Sequence, residues 1–194
     1  MPAQSPVRCA LFYTNIIVLT KDNHILTQRL ISDTEKIEQL IKRFNLVDKD
    51  DINWTATYFD DETNSKWFYY RVDGYMQGGG YPIFARQPLP DRKELITLSL
   101  LSENDDEVFA ACRTMLDNER IKKIDFRADL INELENIGDR QRQETVIKLT
   151  GLDNALNRRE IVGKTFQQIE FDAKYFKDIA DRAIKLTQRT NAQQ

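Results

Sequence analysis

The chain has 194 residues and a net charge of −3, with 41% hydrophobic, 10% aromatic and 30% charged residues. A chain of this length buries about 70% of the surface its unfolded form exposes, so it needs no metal or disulfide to hold together, and its aromatic content and charge balance are those of a folded rather than a disordered chain. The acidic balance argues against nucleic acid, whose binders carry a basic excess, and against a membrane surface.

The first apolar run, "VRCALFYTNIIVLT" (7–20), is β-branched and aromatic, and its core "ALFYTNIIVL" is too short to span a bilayer and lacks a cleavage site. It reads as a strand of a cytoplasmic protein. Turn residues "KDNH" (21–24) and a second strand, "ILTQRLI" (25–31), complete an expected hairpin. A helix follows over 32–44. Ser32 or Asp33 caps it, Glu35 lies three residues after Ser32, and Ile37, Leu40, Ile41 and Phe44 repeat at helical spacing.

An aromatic hairpin comes next. "NWTATYF" (53–59) places Trp54, Ala56 and Tyr58 on one face, "DDETNS" (60–65) turns the chain, and "KWFYYRV" (66–72) returns. That returning strand is apolar on both sides, with Trp67 and Tyr69 on one face and Phe68, Tyr70 and Val72 on the other, as in a strand covered on both faces. The loop "DGYMQGGGYP" (73–82) holds four of the seven glycines and leads into a short strand, "YPIFAR" (81–86), whose Pro82 suits a strand start or an edge.

After residue 88 the pattern turns helical. Asp91 and Asn104 are N-caps, with Glu94 and Glu107 three residues on, and the two helices they start form an αα-hairpin. A helix over 125–137 ends at Gly138 as a C-terminal cap, and another spans about 139–150 before Gly151. The last helix, 165–188, carries Phe166, Ile169, Ala173, Phe176, Ala180 and Ala183 as a heptad-like seam, with a Thr165–Gln168 capping pair. The seam reads as an intramolecular packing face, with a homodimer through 165–188 as the alternative. The expected class is α+β: an antiparallel sheet of about four or five strands with one helix inserted (1–88), then a bundle or array of about five helices (89–194), packed as one unit.

No motif for catalysis, metal or cofactor stands out. The glycine loop lacks the lysine and following helix of a phosphate-binding loop, and "VGKTF" (162–166) has Arg158 where the first glycine of that motif belongs. His24 is the only histidine. The acidic pairs at 50–51, 60–61 and 105–106 read as solvated turns and helix starts, and the calcium-loop pattern fails at Asn53 and Phe59. "KWFYYRV" has Trp67 where base-stacking sheets of RNA-binding domains place glycine, and the acidic turn beside it would repel phosphate. Cys9 and Cys112 read as buried, reduced thiols.

What remains is a dense aromatic region between Trp54 and Tyr81, and such side chains dominate protein contacts. The expected function is therefore a non-enzymatic protein-interaction module, of the inhibitor or immunity type, that masks another protein's surface. Trp67, Tyr69, Tyr75, Met76 and Tyr81 are the expected contact residues. Two alternatives stand beside it: a small-ligand enzyme or sensor with a pocket between sheet and helices, and a structural homo-oligomer.

Overall fold

The computed structural model describes residues 28–188 apart from Gln77. The expected strand at 7–20, the turn with His24, Cys9 and the tail beyond 188 lie outside the described residues. Within them the chain is α+β, a five-stranded antiparallel sheet with one inserted helix followed by five helices.

The strands are β1 (Leu30–Ile31), β2 (Asn45–Asp50), β3 (Thr55–Asp60), β4 (Ser65–Val72) and β5 (Tyr81–Arg86), in the order β1-β5-β4-β3-β2. The helix α1 (Thr34–Arg43) connects the two edges. Strand alternation places Ile31, Trp67 and Phe84 on the α1 side with Ile37, Leu40 and Phe44. Leu30, Val72, Ile83 and Ala85 face the opposite side and share a core with the helices. The both-sided apolar pattern of 66–72 thus has its physical cause, because β4 is covered on both faces.

One local expectation is corrected here, one strand is added, and two details are settled. Asn45–Asp50, to which the sequence pattern assigned no element, forms β2. Its residues are exposed from Asn45 to Lys49, so no alternating apolar pattern betrays it. Trp54 does not begin β3. It sits before the strand with φ of 56°, in a turn that Asp50 organises by accepting from the N–H groups of Ile52 and Asn53. Asp33 caps α1 by accepting from Lys36 N–H, whereas the Ser32 hydroxyl and N–H are both given to Asp106. Pro82 faces Arg71 of β4, and β1 pairs only with Phe84 and Ala85, so the missing N–H of Pro82 removes no ladder bond on the β1 side.

The helices are α2 (Arg92–Leu101), α3 (Asp105–Lys122), α4 (Arg127–Asn136), α5 (Arg140–Thr150) and α6 (Phe166–Gln188). Asp91 and Asn104 cap α2 and α3 as expected. Glu107 does not close a box on Asn104. Its carboxylate reaches β1 instead, accepting from the N–H groups of Arg29 and Leu30. Gly138 is not a left-handed cap, because the Gln143 amide donates to the carbonyls of Leu134 and Ile137 at 2.8 and 3.0 Å and satisfies that end. Gly151 does adopt φ of 61° and ends α5.

On α6 the Thr165–Gln168 box forms in both directions. The seam holds only over its second half. Phe176, Ala180 and Ala183 are buried with Ile179, while Phe166 and Ala173 are exposed. In the first half the buried residue is Asp172, which ion pairs hold in place of apolar packing. Among the described residues no helix is long and apolar enough to cross a membrane.

Candidate functional site

The glycine loop is built by Arg71. Its guanidinium donates to the carbonyls of Gly78, Gly79 and Gly80 at 3.4, 2.6 and 2.9 Å. All three glycines have positive φ, and a Cβ on Gly80 would lie 2.0 Å from the Val72 carbonyl oxygen. The loop therefore turns carbonyls toward a cation, the reverse of the converging N–H groups that hold phosphate. Its chemical service is to carry Tyr75 and Met76 outward.

The five expected contact residues separate. Trp67 is 1% exposed, its ring centroid 5.0 Å from Phe84 and 6.1 Å from Phe44, with the indole N–H given to Ser65. It is a core residue, and a partner cannot reach it. Tyr69 is half-buried on the α1 side, in a groove of about 500 Å³ that also involves Trp54, Tyr58 and Arg71. Tyr81 is half-buried on the opposite side, edge-on to Phe109 and under the Arg113 guanidinium. Tyr75 and Met76 are the exposed pair, Tyr75 at 67%. The aromatic region is thus two surfaces on opposite faces of one sheet.

Tyr75 stands at the wall of the larger concavity, a cleft of about 550 Å³ between the glycine loop, the second half of α3, the 151–165 loop and α6. Its lining includes Arg113, Arg120, Lys123, Arg158, Arg159 and Lys164. Arg120 lies 4.0 Å from the Tyr75 ring centroid and pairs with Asp117. The floor is a linked set of charges. Arg127, 1% exposed, forks onto Glu119 at 2.6 and 2.8 Å. Arg159 bridges Asp125 and Asp172, both at 2.7 Å, and Lys164 also binds Asp172.

These contacts set the local acidities. Hydrogen bonds from Lys164 and then Arg159 hold the Asp172 carboxyl below the usual carboxylate range. Tyr175 donates to Asp125 at 2.7 Å, and burial, then that carboxylate, push its phenol well above the ordinary value. Burial and the neighbouring Arg127 make Arg158 less basic than an ordinary guanidinium. Cys112 is a free, buried thiol pushed up to about 12 by desolvation, so it is inert as a nucleophile.

Around this cleft the surface is apolar. Leu156, Ile161, Val162, Phe166 and Phe171 are all more than half exposed, with Val162 at 82%. Lys164 lines both the cleft and the shallow groove that runs past Phe171. Of this region the sequence reading named only Tyr75 as a contact residue, with Phe166 placed in the α6 seam. The signals it passed over were the cation clusters "ERIKK" (119–123) and "NRRE" (157–160), neither of which carries a local motif. Among the described residues no group of three or more His, Cys, Asp or Glu side chains is arranged to hold a metal ion. In comparisons with known proteins, no family model matches the chain, and no curated protein or solved structure shows significant similarity to it.

Proposed function

We propose that this chain is a non-enzymatic protein-interaction module that works by masking another protein's surface. The observation that carries the reading is the run of exposed apolar side chains from Leu156 to Phe171, with Tyr75 and Met76 across the cleft. Large apolar groups grouped in one region cost solvation free energy and mark contact surfaces. Tyr75 and Phe171 have the size and limited side-chain freedom of interface anchors. The cations between them favour a partner whose matching surface is apolar with acidic residues at its edge. A free thiol at Cys112 supports a reducing, cytoplasmic setting.

Affinity capture with quantitative comparison of variants tests this. One partner is expected to be retained by the unchanged chain and lost with Phe171→Ser and with Tyr75→Ala. Capture that ignores both substitutions overturns the reading. Light scattering at micromolar concentration identifies the case in which the partner is a second copy. A dimer that Phe171→Ser dissolves assigns the same surface to self-association.

A further inference from the structure

We propose that the cleft beside Tyr75 is a binding site for a small anion carrying two or more phosphate groups, with Arg120, Lys123 and Arg158 as its charge partners. The inference stands on the cleft and not on the apolar surface beside it.

The first argument is charge bookkeeping around the wall. Two of the four carboxylates there are committed, Glu119 to Arg127 and Asp125 to Arg159 and Tyr175, while Asp73 lies 3.6 Å from Arg113 without a hydrogen bond on its Oδ2 and Glu160 has no cation within 4.0 Å among the described residues. Arg159 and Lys164 are in turn neutralised by Asp172. Among the described residues, Lys123 and Arg158 have no carboxylate within 4.0 Å, and both line the same concavity. Arg120, oriented by its stack on Tyr75, adds a third guanidinium whose charge is shared with Asp117. Like charges gathered in one concave wall repel unless an anion enters between them.

The second argument concerns backbone and scaffold. Lys123 is held at the left-handed residue that ends α3, with φ of 58°. Arg158 approaches Gly151, where a Cβ would lie 3.2 Å from its Nη2, so a glycine at the end of α5 leaves room for the guanidinium. The Arg113 Nε is also buried at this wall with no partner in the protein. Cations from the end of α3 and from a loop about 35 residues later are therefore brought together by packing, as a preorganised site requires.

The third argument is size. A cleft of about 550 Å³ is in the range that holds a small molecule. The chain carries a net charge of −3, so an extended polyanion such as nucleic acid meets repulsion outside the cleft. A compact diphosphate does not. Guanidinium forks match phosphate oxygens in pairs, and two unmatched cations plus Arg120 suit two phosphates better than a single carboxylate.

Isothermal titration of the full chain with inorganic pyrophosphate, and separately with ADP, decides it. Binding is expected in both arms, weakening with added salt. Arg158→Gln and Lys123→Gln, both at exposed positions, should each weaken it about tenfold, the loss of one charge-assisted hydrogen bond. Lys93→Gln, outside the cleft, should leave it unchanged. Equal affinity for the two ligands assigns the site to the diphosphate alone. Tighter ADP binding that Tyr75→Ala abolishes assigns the base to the tyrosine face. Absence of binding to either ligand at about 1 mM, or binding that both Gln variants leave intact, overturns the proposal. Phe171→Ser is expected to leave these titrations untouched, which separates this test from that of the protein-contact surface.

Discussion

The carboxylate of Glu107, in the first turn of α3, accepts the backbone N–H of Leu30 at 3.1 Å across 77 residues of sequence. The same side chain accepts from Arg29 N–H and from the Ser102 hydroxyl, and the neighbouring Asp106 accepts from Ser32 N–H. The outward N–H groups of β1 are thereby satisfied by the start of a helix. Glu107→Ala strands buried donors and should cost about 2 kcal/mol, a fall in Tm of roughly 4–8 °C for a domain of this size. Thermal and urea unfolding measure it, with exposed Glu103→Ala as the comparison. Equal effects of the two substitutions would remove Glu107 from this role.

The glycine loop makes a graded prediction. Gly80→Ala introduces a Cβ 2.0 Å from the Val72 carbonyl oxygen and 2.7 Å from the Asp73 carbonyl, at φ of 73°. Backbone must shift, and a loss well above 2 kcal/mol is expected from clash and left-handed strain together. Gly78→Ala has the strain alone, since nothing lies within 4 Å of its Cβ, and should cost about 1 kcal/mol. Urea midpoints in the reverse order would contradict the geometry.

Asp172 predicts a pH dependence. Its carboxyl titrates lower in the folded chain than in the unfolded one, so its stabilisation is complete above the unfolded value and disappears as pH falls through the folded one. At pH 7, Asp172→Asn should unfold at lower temperature than the unchanged chain, because Arg159 and Lys164 lose their shared acceptor. The gap should begin to narrow as pH drops below about 4, where the unfolded carboxyl takes up its proton, and close only as pH falls through the lower folded value. A gap that stays constant down to pH 3 would show that packing, not charge, accounts for the loss.

Helix faces and caps were legible in the sequence because they depend on neighbours within one turn, as Asp91, Asn104 and Thr165 show. The two-faced aromatic strand was legible for the same reason. Long-range satisfaction was not. Glu107 has the spacing of a capping box, yet β1 offers it buried N–H groups that no local rule can see. Gln143 removes the need for a special glycine conformation at Gly138. Trp67 looks like a contact residue until α1 closes over it. Apart from Tyr75 the cleft escaped, because its cations come from two separated segments and each is ordinary in its own surroundings.

The bulge in β2 has a consequence for assembly. Val47 has no partner in the pairing with β3, between Leu46 opposite Tyr58 and Asp48 opposite Thr57. The strand then continues with Asp48, Lys49 and Asp50 along an edge with no neighbour among the described residues. A kinked, charged edge resists joining its equivalent in another copy through backbone hydrogen bonds. Concentrated solutions should therefore not acquire the ribbon-like growth that open sheets promote. An association of copies would instead use an apolar surface such as the run from Leu156 to Phe171. It would carry the negative heat capacity of side-chain burial and loosen in the cold.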